Sequence, residues 1–118
     1  MKRWIFSLAA SLSCIASAGA APCADLHESS ALNRCLDSEL DQKSRFAEQL
    51  ARRNADAKPS TERRQLLEDF AEWRKSTLLA CSIASQEMID VEIREIRRKS
   101  CLIDRIGERI YSDSKPLP

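Results

Sequence analysis

Five cysteines, Cys14, Cys23, Cys35, Cys81 and Cys101, and one histidine, His27, have the widest chemical repertoire in this chain of 118 residues. Thiols bind metal, attack as nucleophiles or pair as disulfides, and spacing separates these uses. A structural zinc site draws on close ligand pairs such as Cys-x-x-Cys, whereas Cys23, Cys35, Cys81 and Cys101 all stand far apart. A nucleophilic Ser or Cys needs a base, most often His, and His27 lies on an irregular N-terminal stretch where a solvated ring is expected. The carboxylates of Glu68-Asp69 and of Asp90 and Glu92 fit solvated helix faces better than an acid–base pair. No metal, haem or other cofactor is expected, and the chain does not read as an enzyme.

The thiols make better sense as structural bridges, given what precedes them. Lys2 and Arg3 form a positive start, Trp4 to Cys14 a short apolar core, and Ala18-Gly19-Ala20 a small-x-small cleavage site. Residues 1–20 therefore read as an export signal, with a mature single domain over residues 21–118 in the periplasm or secreted. The apolar run, interrupted by Ser7, Ser11 and Ser13, falls short of the roughly 20 apolar residues of a stable membrane span. Cys14 is not expected to carry lipid, because Ser11 stands where such sites usually have leucine. Losing Lys2 and Arg3 from 19 basic residues leaves a slight excess of the 18 acidic ones, which argues against a dedicated nucleic-acid binder. Four cysteines in so short an exported domain read as two disulfides.

Helices must position them. Apart from Gly19 and Gly107, and from Pro22, Pro59, Pro116 and Pro118, the chain is rich in Ala, Leu, Glu, Arg, Lys and Gln with apolar residues at helical spacing. A first helix, capped by Ser29 or Ser30, carries Leu32, Leu36, Leu40, Ala47 and Leu50 on one face with Phe46 beside them. Pro59 breaks the pattern, and a second helix starts at Ser60 or Thr61 with Leu66, Phe70, Trp73, Thr77 and Ala80 inward. A third segment carries Ile89, Ile93, Ile96, Ile103, Ile106 and Ile110; their spacing of three and four excludes a strand. The expected fold is all-α, an antiparallel helical hairpin plus a third helix, stapled by two disulfides.

Four cysteines allow three connectivities. Cys35 and Cys81 stand almost equally far on either side of Pro59, so at about 1.5 Å of rise per residue they come level on two facing helices. Cys101 falls on the side of the third helix away from its isoleucines, in line with Arg94, Arg98 and Arg105, where the segment around Cys23 is available to meet it. This favours Cys35–Cys81 with Cys23–Cys101; the sequential pairing, Cys23–Cys35 with Cys81–Cys101, is the alternative.

Two basic clusters offer binding surfaces. Arg52, Arg53, Lys58, Arg63 and Arg64 bracket the hairpin tip, relieved by Asp56 and Glu62, while Arg94, Arg98, Arg105 and Arg109 share a face of the third helix. Both suit solvated faces balanced by nearby Glu, and the tip also suits a basic finger for an acidic cleft or an anionic polymer. Trp73 shares the stripe of Leu66 and Phe70 and reads as core.

Asn33-Arg34-Cys35, Trp73 upstream of Cys81, and Cys101-Leu102 followed by Arg109 resemble, in order and spacing, the LprI-like lysozyme-inhibitor family of small exported helical proteins. The match is partial. The family usually has Asp and Leu-Asn after the second cysteine, where this chain has Ser44, Ala47 and Glu48. It tends to have Arg-Asp before the third cysteine, where Thr77-Leu78 stand, and a glycine-rich link after it, where Ser82-Ile83-Ala84-Ser85 stand. The resemblance implies a protein partner, a lysozyme-type cell-wall glycosidase, whose cleft is blocked by a basic tip residue paired with its carboxylates. A periplasmic structural or chaperone-like protein and an effector-neutralising immunity protein are the alternatives.

Overall fold

The computed structural model describes residues 23–115, so the export-signal reading of residues 1–20 and the Cys14 reading lie outside the described residues. Three helices follow one another: α1 over Ser29–Asp56, α2 over Ser60–Ser85 and α3 over Val91–Asp113. Among the described residues there is no strand, and no helix is long and apolar enough to cross a membrane. The helix starts are less decorated than the sequence suggests. α1 begins after Glu28 with no side-chain cap, and the Ser30 hydroxyl instead donates to Glu28 at 2.6 Å. α2 starts at Ser60, with Pro59 before it. Asp90 caps α3 by accepting from the Ile93 N–H at 3.1 Å, which satisfies one of the orphan donors of a first turn.

The chain runs up α1, back along α2 and up again along α3. α1 and α3 are therefore parallel, and side-chain contacts fix their register at both ends. The Asn33 amide donates to the Glu92 carbonyl at 3.2 Å, and the Asn54 amide to the Asp113 carbonyl at 3.0 Å. Between these, Lys99 is almost wholly buried, with its Nζ 2.9 Å from Asp37 and donating to the Asn33 side-chain Oδ1 at 3.0 Å. Its stem lies in the interface and its charge reaches the edge.

One core cluster joins Ala47 and Ala51 of α1, Phe70 and Cys81 of α2, and Leu102 and Ile106 of α3. A second joins Cys23, Leu36 and Ile103, with Leu32, Leu40 and Ile96 packed against it. On α1, Ala47, Ala51 and Ala55 recur every four residues and are buried, their small side chains letting the other helices close in. Phe46 is about half exposed and Ile89, in the α2–α3 turn, is 94% exposed, so neither belongs to the inner faces predicted for them. Leu66 and Ala80 also lie exposed on α2, where only Phe70, Cys81 and Ser85 are buried.

The disulfides are Cys23–Cys35 and Cys81–Cys101, with Cα–Cα distances of 5.7 and 5.6 Å. This corrects the favoured pairing of Cys35 with Cys81 and Cys23 with Cys101. The side of α3 opposite its α1-facing isoleucines does not look wholly outward: α2 runs beside it, with Trp73 lying under Arg109 and Ala84 sharing an open cleft with Arg97 and Cys101. Cys101 thus meets Cys81. Cys23 starts a turn closed by the Leu26 N–H donating to its carbonyl at 3.2 Å, which folds the thiol back onto the first turns of α1. Both bridges are compatible with an oxidising environment.

Candidate binding surface

The α1–α2 tip is built by a short stop. α1 ends at Asp56, the Lys58 N–H closes on the Ala55 carbonyl at 3.0 Å, and Pro59 launches α2, whose Arg63 N–H returns to the Pro59 carbonyl at 2.8 Å. Proline suits this place because its fixed φ starts a helix while its missing N–H is not needed there. Below the tip, Ala55 is fully buried and Asn54 ties α1 to the end of α3, so the α1 side is anchored. The α2 side is not: every residue from Pro59 to Asp69 is exposed. The first turns of α2 form an arm without a covering layer among the described residues.

Its five basic residues divide in two. Arg52 pairs with Glu48 at 2.9 Å, and Arg63 lies 3.8 Å from Asp56 while donating to the Lys58 carbonyl at 3.5 Å. Arg53, Lys58 and Arg64 make no ion pair among the described residues, and Arg53 and Arg64 point into solvent. The tip therefore carries unspent positive charge on an anchored base.

The basic face of α3 is different, because each arginine has a local partner. Arg94 donates to the Met88 carbonyl at 2.9 Å, and Arg98 donates to Glu95 at 3.0 Å. Arg105 lies 3.8 Å from Glu108, and Arg109 2.9 Å from Asp113. The hydrogen bond from Arg98 and its positive charge hold the Glu95 carboxyl below the usual carboxylate value, against the opposing effect of partial burial. The expectation of a solvated face balanced by nearby carboxylates describes Arg105, whereas Arg94 is held by a backbone carbonyl and Arg98 and Arg109 are partly covered.

Trp73 and Arg109, both among the residues that carry the family resemblance, are brought together. The Arg109 guanidinium lies 5.1 Å from the Trp73 ring and 5.6 Å from the Phe70 ring, and the two rings are 5.6 Å apart. A cation held over two aromatic faces locks α2 to α3. Asn33, from the same set, is the register contact between α1 and α3. Cys35 and Cys101 are the bridges described above, and His27 is exposed on the segment before α1.

A feature the sequence reading missed lies between α1 and α2 below the tip. An open groove of about 610 Å³ has Ala51, Leu67, Phe70, Ala71 and Leu78 along its floor and Arg52, Arg74 and Lys75 among its rim residues. The available signal was the pair of leucine doublets, Leu66-Leu67 and Leu78-Leu79, which makes α2 apolar on more than one face. Among the described residues no cluster of His, Cys, Asp and Glu has a metal-holding arrangement. No family model, curated protein or solved structure matches the chain.

Proposed function

We propose that this is an exported binding protein that uses the basic α1–α2 tip to engage an acidic site on a protein partner. The observation that carries the reading is the exposed tip, where Arg53 at the end of α1 and Arg64 at the start of α2 point into solvent and make no ion pair among the described residues. Unpaired arginine on an anchored protrusion speeds encounter with an acidic partner and can donate a bidentate pair to a carboxylate.

Inhibition of a lysozyme-type glycosidase is the specific form, and its support is the resemblance carried by Asn33, Cys35, Trp73, Cys81, Cys101 and Arg109. Such enzymes work with two carboxylates flanking the scissile bond, so a tip arginine entering the cleft would both occlude substrate and neutralise the acid–base pair. The test is titration of the mature protein and an Arg53→Glu/Arg64→Glu variant against a lysozyme, at low and physiological salt. The reading expects binding that weakens about tenfold or more in the variant and falls with salt, since screening acts over about 8–10 Å. Equal affinity for both proteins refutes the tip, and no binding by either refutes the lysozyme form.

A second reading is favoured by one observation. Leu79, Ile83, Ile89, Val91 and Ile93 are all exposed at the α2–α3 end, as a surface that holds unfolded clients would require. A chaperone-like protein would suppress aggregation of a heat- or acid-stressed client, and the tip variant would do so equally well. Immunity to a toxic effector is separated from both by neutralisation of that effector in co-expression.

A further inference from the structure

The groove between α1 and α2 leaves one face of α2 uncovered, and the residues on that face are arranged to accept a second copy of α2. Arg64, Leu67, Ala71, Arg74, Leu78 and Cys81 follow the alternating three-and-four spacing of a helix–helix seam. Leu67 is 38% and Leu78 45% exposed, and Ala71 and Arg74 are exposed, so the middle of this seam is open while its Cys81 end is bridged. On the outer flank of the seam stand Glu68 and Lys75. Neither makes an ion pair among the described residues.

The order of these residues decides the orientation. Reading down the helix, the stretch runs Leu67, Glu68, Ala71; reading up from the other end, it runs Leu78, Lys75, Arg74. An antiparallel second copy therefore sets Leu67 on Leu78, lays the Arg74 stem over the small Ala71, and brings Glu68 beside Lys75. By two-fold symmetry each contact occurs twice. The flank positions of antiparallel helices meet like position to like position, which is the relation Glu68 and Lys75 bear to each other. A parallel copy would instead set each seam position on itself, Arg74 against Arg74 near its centre where like charges repel, and would leave Glu68 and Lys75 apart.

We infer that the protein forms a two-fold homodimer through antiparallel pairing of α2, each copy lying in the other's α1–α2 groove. Such an interface is isologous and closed, so it stops at two chains. The axis passes near Ala71 to Arg74. At about 1.5 Å of rise per residue the two Arg63 positions stand about 30 Å apart, one at each end of the pair. The dimer leaves Arg53 and Lys58 of each tip free, while Arg64 stands at each end of the seam.

Sedimentation equilibrium of the mature protein from low micromolar to near-millimolar concentration tests this. Wild type should follow a monomer–dimer equilibrium. Leu67→Glu and Leu78→Glu should each shift it to monomer with the helical circular dichroism unchanged, because both side chains are already partly in solvent. Glu68→Lys alone, and Lys75→Glu alone, should weaken dimerisation about tenfold or more, and the double charge swap should restore it. A wild type that stays monomeric overturns the proposal and leaves the groove to a foreign segment. A dimer indifferent to Leu67→Glu and Leu78→Glu, or one the double swap does not restore, overturns it equally.

Discussion

Replacing Cys81 and Cys101 by serine should cost more stability than replacing Cys23 and Cys35, and the size of the loss can be worked from the connectivity. The bridges close loops of 20 and 12 residues in sequence separation. The chain-entropy relation gives about 3.3 kcal/mol for the longer loop and about 2.8 kcal/mol for the shorter, so about 6 kcal/mol together. The nested pairing would close far longer loops and contribute about 8.5 kcal/mol by the same relation. Packing widens the difference between the observed bridges. Cys81 is fully buried at the point where α2 meets α3, and α2 has few other buried side chains. Cys23 ties a short segment onto α1, whose long contact with α3 survives without it. Urea unfolding of the two double-serine variants followed by circular dichroism checks the ranking. Hydrogen exchange should show α2 losing protection in the Cys81→Ser/Cys101→Ser variant while α1 and α3 keep theirs. A peptide linking Cys35 to Cys81 in a non-reducing digest would refute the reasoning outright, as would uniform loss of protection in all three helices.

The ion pair at the α1–α3 seam makes an asymmetric prediction. Asp37→Ala should cost about 1–2 kcal/mol, since it leaves the charge of the buried Lys99 with only Asn33, whereas Lys99→Met should cost less, since it keeps the packed stem and removes the charge; thermal or urea melts of the two variants give the order. Asp90→Ala should cost about 1 kcal/mol through loss of the α3 cap and Asp90→Asn much less, as read from urea midpoints. Because the Glu95 carboxyl is held below its ordinary value of 4.5, its contribution to stability is fully present above that pH and is lost as pH falls through the lowered value. NMR titration should show the Glu95 midpoint below 4.5 in wild type and moving up toward it in Arg98→Ala.

The three helices were legible because their evidence is local. Two glycines, a proline at the single sharp stop, and apolar residues at spacings of three and four are properties of neighbouring residues, and α1, α2 and α3 followed with boundaries close to those expected. The disulfide pairing was not legible in the same way. Height along a helix can be counted from Pro59, but the side of α3 that α2 covers is a tertiary fact. Cys101 stands opposite the isoleucines in either case, and only the position of α2 turns that side from solvent into an interface. The contact of Arg109 with Trp73 was hidden for the same reason. The basic tip could be seen as a cluster, but its division into spent and unspent charge needed Glu48 and Asp56 to be placed in space.

The second helix shows where periodicity misled and what it was reporting. Leu66, Phe70, Trp73 and Thr77 gave one apolar stripe, and assigning it to the core left Leu67, Leu78 and Leu79 unexplained. In the fold a single chain satisfies the first stripe only in its lower part, through Phe70, Trp73 and Cys81, and leaves the leucine doublets 38–62% exposed. A helix with apolar residues on more than one face and too few neighbours to cover them is incompletely partnered within its own chain. The exposed Leu67 and Leu78 of α2 and the flank charges Glu68 and Lys75 are thus met by the same partner, an inverted copy of the same helix.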